Sequence, residues 1–160
     1  MDILNQLEVS NPGLPILLYS DKSRTDENLN IIHEKEFNKR KLNDTEIELK
    51  LEKRNTLDLI LLRATGAGCT MCFNKLAKQV SIPYYNLRYQ DSILMISVKK
   101  NNGIIKAITT PTIFYRSHAN NTVGCIGDEK ISKKLSKPKK IIETNIRAWY
   151  LWKLYGGGIF

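Results

Sequence analysis

Leu59-Ile60-Leu61-Leu62-Arg63-Ala64-Thr65-Gly66-Ala67-Gly68-Cys69-Thr70-Met71-Cys72-Phe73-Asn74-Lys75-Leu76-Ala77-Lys78-Gln79-Val80 is the stretch whose reading decides the fold. Its opening apolar run suits a strand buried on both faces. Gly66-Ala67-Gly68 breaks that strand, and from Cys72 to Val80 the apolar residues recur at helical spacing. The cysteines are therefore expected at a helix N-terminus. Exposed backbone N–H groups and the positive end of the helix dipole there favour a thiolate over a thiol. Two thiols separated by two residues can close a small disulfide ring, with Cys69 as the exposed attacker and Cys72 as the inward resolver. Two other readings stay open, a purely structural pair and half of a metal site. For the latter the second pair of ligands is missing, and His33 and His118 are isolated.

Around that stretch, the bulk composition sets bounds. A chain of 160 residues with 42% apolar content is long enough for one ordinary core. Its uninterrupted apolar runs are too short to span a bilayer. The start Met1-Asp2-Ile3-Leu4 lacks the pattern of a secretory signal, and three cysteines are too few for a disulfide-stapled scaffold. A cytoplasmic or other reducing compartment is expected. The net charge of +9 is uneven: residues 1–98 hold 13 basic and 13 acidic side chains, residues 99–160 hold 12 and 3. The basic end invites an acidic partner surface. Lys133, Lys134, Lys137, Lys139 and Lys140 lack the interleaved aromatic residues of single-stranded nucleic-acid platforms, so nucleic acid is not favoured.

Upstream, Asn11-Pro12-Gly13 is a turn signal and Pro15-Ile16-Leu17-Leu18-Tyr19 reads as a strand. Downstream, Tyr84 to Tyr89 can form a strand, and Ser92 to Lys100 is apolar enough for a helix or a strand. Asn101-Asn102-Gly103 is a firm break. Thr112-Ile113-Phe114-Tyr115 reads as a strand, Asn120-Asn121 as a hairpin turn, and Asp128-Glu129 as the opening of a helix. Cys125 reads as a small core residue. Alternating strands and helices indicate an α/β class.

Three blocks of this chain resemble the thioredoxin family. Ile60 to Cys72 is similar to its strand and active-site turn, Asn102 to Phe114 to its run into a cis-proline strand, and Val123 to Leu135 to its closing strand, glycine and helix. The resemblance implies a thioredoxin-like fold over residues 28–137, with a central mixed β-sheet flanked by helices. Residues 1–27 would be an N-terminal extension and residues 138–160 a basic, aromatic C-terminal one. It implies thiol–disulfide exchange on protein disulfide substrates through Cys69 and Cys72. It also implies that Thr110 and a cis Pro111 orient the substrate beside the sulfurs, and that no metal or organic cofactor is needed.

The surroundings of the cysteines depart from the family pattern. Gly68 stands where the family has Trp, and Thr70-Met71 where it has Gly-Pro. Arg63 stands where many thioredoxins keep a buried acid; a permanently protonated guanidinium can stabilise a thiolate but is a poor base.

The tail supplies the alternative. Ile141, Ile142, Ile146, Trp149, Tyr150 and Trp152 are spaced compatibly with an amphipathic helix, which Gly156-Gly157-Gly158 ends before Ile159-Phe160. Aromatic residues of this kind anchor interfaces. The alternative is a thioredoxin-fold interaction or structural subunit of a larger assembly, such as a virus particle, with weak or no redox activity.

Overall fold

The structure is a computed structural model that describes residues 3–37, 67–82 and 90–118. In chain order these form helix α1 (Ile3–Ser10), strands β1 (Ile16–Thr25) and β2 (Ile31–His33), a 3₁₀ turn (Gly68–Thr70), strand β3 (Met71–Phe73), helices α2 (Lys75–Val80) and α3 (Gln90–Lys100), and strand β4 (Ile104–Arg116). The expected class, mixed α/β around a mixed sheet, is what these elements make. Among the described residues no helix is long and apolar enough to cross a membrane.

Pro15–Tyr19 was expected as a short strand, yet β1 runs on to Thr25 because its polar second half also finds partners on both edges. β4 lies parallel along one edge, from Ile16 opposite Ile104 to Thr25 opposite Arg116. β3 is antiparallel with Leu18 opposite Cys72, and β2 is antiparallel with Arg24 opposite His33. Both share β1 residues with β4, so β2 and β3 occupy the other edge, at opposite ends. Residues 16–25 thus form the centre of the described sheet, although the sequence division set residues 1–27 apart as an extension.

Leu17 and Tyr19 face a core shared with Ala77, Ile93, Met95, Ile96, Val98, Ile105 and Ala107, against which Phe37, Met71 and Val80 pack. Burying each large apolar side chain contributes about 1.5–3 kcal/mol. Ser92–Lys100, ambiguous in sequence, is helical. Every residue from Ser92 to Val98 is buried, so no apolar stripe marks its face. Its ends carry the signal instead: Asp91 lies in the first turn and Lys99 and Lys100 in the last, each matched to the helix dipole.

The helix stops in a Schellman motif. Asn102 adopts φ +54°, its N–H donates to Lys99 O at 3.1 Å, and Gly103 N–H donates to Val98 O at 2.8 Å. The left-handed position is taken by Asn102, which leaves Gly103 for a close approach. A Cβ on Gly103 would sit 2.7 Å from both Pro15 Cγ and Val98 Cγ1 and would also collide with the Pro15 carbonyl.

β4 begins at Ile104, eight residues before the expected Thr112, and passes through Pro111. A proline interrupts a ladder because it has no N–H. It is accommodated where the register slips: Ser20 is opposite Ile108 but Asp21 is opposite Pro111, which leaves Thr109 and Thr110 as extra residues of a bulge. The strands expected at Leu59–Leu62 and Tyr84–Tyr89, Arg63, Cys125, the hairpin and helix after Asn120, and residues 138–160 all lie outside the described residues.

Candidate functional site

The Cys69–Cys72 turn is built by its inner residues. Thr70 N–H and Thr70 Oγ1 both donate to Ala67 O, at 2.8 and 2.9 Å, and Met71 N–H donates to Gly68 O. Thr70 is buried and Met71 packs on the core. With those two side chains turned inward, Cys69 and Cys72 are left exposed, and both are free thiols.

Neither cysteine lies on an α-helix, which corrects the expected placement at the N-terminus of the helix that follows. Cys69 is in the 3₁₀ turn and Cys72 in β3, while α2 starts only at Lys75. The physical reason is Asn74. Its Oδ1 accepts from Ala77 N–H at 2.9 Å, which makes it the N-cap, and also from Ile16 N–H at 3.0 Å. Its Nδ2 donates to Leu14 O at 3.0 Å, and its backbone N–H donates to Ile16 O at 3.0 Å. One buried amide thereby ties the helix start to β1, and the preceding residues must run as a strand along Leu17–Tyr19. Cys72 is also exposed, where the sequence pattern had it pointing inward.

Asp91, at the start of α3, flanks the turn: a Cβ on Gly68 would lie 4.0 Å from Asp91 Cβ, an ordinary contact. Among the described residues no group of His, Cys, Asp and Glu side chains could hold a metal ion.

Thr110 and Pro111 are not brought to the thiols. β1 lies between β3 and β4, with Cys72 opposite Leu18 and Pro111 opposite Asp21. Two interstrand spacings across and three residues along place Cys72 and Pro111 about 14 Å apart. The expected contact across the fold is replaced by two separate features on opposite edges of one strand.

Pro111 instead neighbours a buried acid. Asp21 is 0% exposed. Burial pushes its carboxyl above the ordinary carboxylate range, against the opposing pull of N–H groups from Phe37, Lys22 and Glu36, and the nearby Glu36 charge pushes it further up. Beside it, the Ser20 and Thr112 hydroxyls hydrogen-bond to each other, and Lys22 Nζ lies 4.1 Å from the centre of the Tyr115 ring.

Sequence reasoning missed Asn74 and Asp21. Asn74 carried a readable signal, an Asn directly before an apolar-periodic run. Asp21 carried none, since a charged residue after a short apolar run reads as the strand's end. No known protein-family model, curated protein or solved structure matches this chain.

Proposed function

We propose that the protein is a thioredoxin-like thiol–disulfide oxidoreductase acting through Cys69 and Cys72. The observation that carries this reading is the pair of free, exposed thiols on a turn whose intervening residues are anchored in the core. Such anchoring limits the conformations the dithiol must lose when it closes a ring.

In the reducing direction, the Cys69 thiolate attacks one sulfur of a protein disulfide. A Cys69–substrate mixed disulfide forms and the other substrate sulfur leaves as a thiolate. The Cys72 thiolate then attacks Cys69 Sγ, which forms the Cys69–Cys72 disulfide and releases the second substrate sulfur. Two electrons pass to the substrate, whose sulfurs take up protons, and an external dithiol restores the reduced pair. The oxidising direction is the same sequence reversed. Exposure of both cysteines supports access for a protein-sized substrate, and their separation of three positions keeps Cys72 close to Cys69 in the chain for resolution. Thr110 and Pro111, about 14 Å away by strand spacing, are assigned no role in orienting the reacting sulfurs.

The test is reduction of a quenched fluorescent peptide disulfide, with dithiothreitol as the recycling dithiol. The native protein is expected to accelerate the reaction and Cys69→Ser to abolish the acceleration, while Cys72→Ser mixed with the peptide disulfide in the absence of dithiothreitol is expected to accumulate as a covalent adduct on Cys69. Equal rates for the native protein and Cys69→Ser would remove the oxidoreductase reading.

A further inference from the structure

Among the described residues, β3 is paired along one edge: β1 lies there, with Leu18 opposite Cys72, and no strand lies on the other side. The direction of its backbone groups follows from Asn74, whose N–H donates to Ile16 O at 3.0 Å. Pairs that exchange hydrogen bonds alternate along an antiparallel ladder, so Leu18 and Cys72 form the next such pair. The N–H and C=O groups of Met71 and Phe73 therefore point to the outer edge. Met71 N–H donates there to Gly68 O, which folds the Gly68–Thr70 turn, and Cys69 with it, onto that side of β3. Among the described residues, Met71 O and Phe73 N–H have no backbone partner.

The edge is also accessible. Consecutive strand residues face opposite sides of a sheet. Cys72 and Phe73 are both exposed, Phe73 by 36%, so neither side of β3 is covered at this point. An uncovered strand edge is a template for another strand, and a length of three residues suits a transient partner.

We propose that the outer edge of β3 is the docking edge of the dithiol: it takes an extended polypeptide segment as an added strand and brings that segment's disulfide to Cys69. The proposal rests on the thiol–disulfide reading and names its substrate class.

One residue of such a segment, placed opposite Cys72, satisfies both outward groups. It donates its N–H to Met71 O and accepts Phe73 N–H at its C=O, the pattern of a parallel ladder. Its two neighbours then lie on the Phe73 side, where the exposed ring gives them an apolar contact. N-terminal to that residue, the segment passes the turn that carries Cys69. Backbone bonds of this kind recognise extension rather than sequence. The preferred disulfides are therefore those in unfolded or loop segments, and a small organic disulfide gains nothing from the edge. Thr110 and Pro111, in the strand on the far side of β1, take no part.

The experiment uses the full reduced chain and two substrates with the same reacting bond. These are N-acetylcysteine amide and an extended peptide with a single cysteine, each as its mixed disulfide with thionitrobenzoate. Release of thionitrobenzoate is followed by absorbance, and each rate is divided by that with free dithiothreitol. The peptide should react about tenfold faster than the amino-acid derivative. N-methylation scanned along the peptide should cancel that advantage at one amide. Phe73→Pro, which removes the other bond while Cys72 stays paired with Leu18, should lower the ratio of the two rates by a similar factor. Equal Cys69-dependent rates for the two substrates would overturn the docking edge and leave the oxidoreductase reading standing. An N-methyl scan with no sensitive position would do the same. Release from neither substrate above the Cys69→Ser level would overturn both.

Discussion

The two halves of β1 share a strand, a sheet and a buried face, yet they are built from opposite materials. Toward Ile16, Leu17 and Tyr19 meet Ile105, Ala107 and helix α3, and β3, β1 and β4 run in unbroken register. Toward Thr25, the same face carries Asp21, Ser23 and Thr25, at 0, 8 and 1% exposure, and the register with β4 slips twice. The apolar half positions the thiols through backbone pairing and Asn74. The polar half holds the segment from Glu34 to Phe37 through hydrogen bonds to Asp21 and Ser23. Apolar packing and polar hydrogen bonding are thus separated along ten residues of one strand.

The contrast breaks most readily at Asn74. Asn74→Ala strands the Ile16 and Ala77 N–H groups and the Leu14 carbonyl, for a loss of about 3 kcal/mol in denaturant unfolding. A loss below about 1 kcal/mol, the ordinary value of a helix cap, would show that the apolar half does not depend on this amide.

Gly103→Ala comes next. The added methyl group meets the Pro15 backbone as well as Val98, and overpacking of this kind costs about 2 kcal/mol. An equal midpoint for the two proteins would mean that the α3–β4 turn yields freely.

The polar half predicts a change of the opposite sign. Thr25 Oγ1 is buried and finds no hydrogen-bond partner among the described residues. Thr25→Val, which exchanges that hydroxyl for a methyl group of similar size, should stabilise the fold by about 1 kcal/mol. Destabilisation would show that the hydroxyl is hydrated or otherwise engaged. The smallest stability effect belongs to Cys69→Ser, within about 0.5 kcal/mol, because the thiol is exposed. A larger change would assign Cys69 a structural role.

Much of the apolar half was legible in sequence. Ile16–Tyr19 announces a buried strand, the Asn101–Gly103 stop is unmistakable, and Cys69 and Cys72 stand out by type and spacing. The position of the thiols relative to the helix was not, because periodicity from Cys72 to Val80 is equally consistent with a helix beginning at either end of Phe73-Asn74. Only the reach of the Asn74 amide to Ile16, 58 residues away, decides it. The polar half was illegible for a related reason. Ser20-Asp21-Lys22-Ser23-Arg24-Thr25 has neither apolar alternation nor β propensity, and becomes a strand because β4 and segment 34–37 satisfy it from outside. The proline that suggested a substrate groove proved to be paired with that polar half, opposite Asp21.

The central claim is that Cys69 and Cys72 act as one two-electron couple. It is tested most directly by equilibrating the protein in glutathione buffers of graded potential, then alkylating the remaining thiols and weighing the products. The account predicts a single transition in which both thiols disappear together into an intramolecular disulfide, with a slope for two electrons. Independent glutathione capping of the two cysteines, or thiols that both remain free across the range, would contradict it.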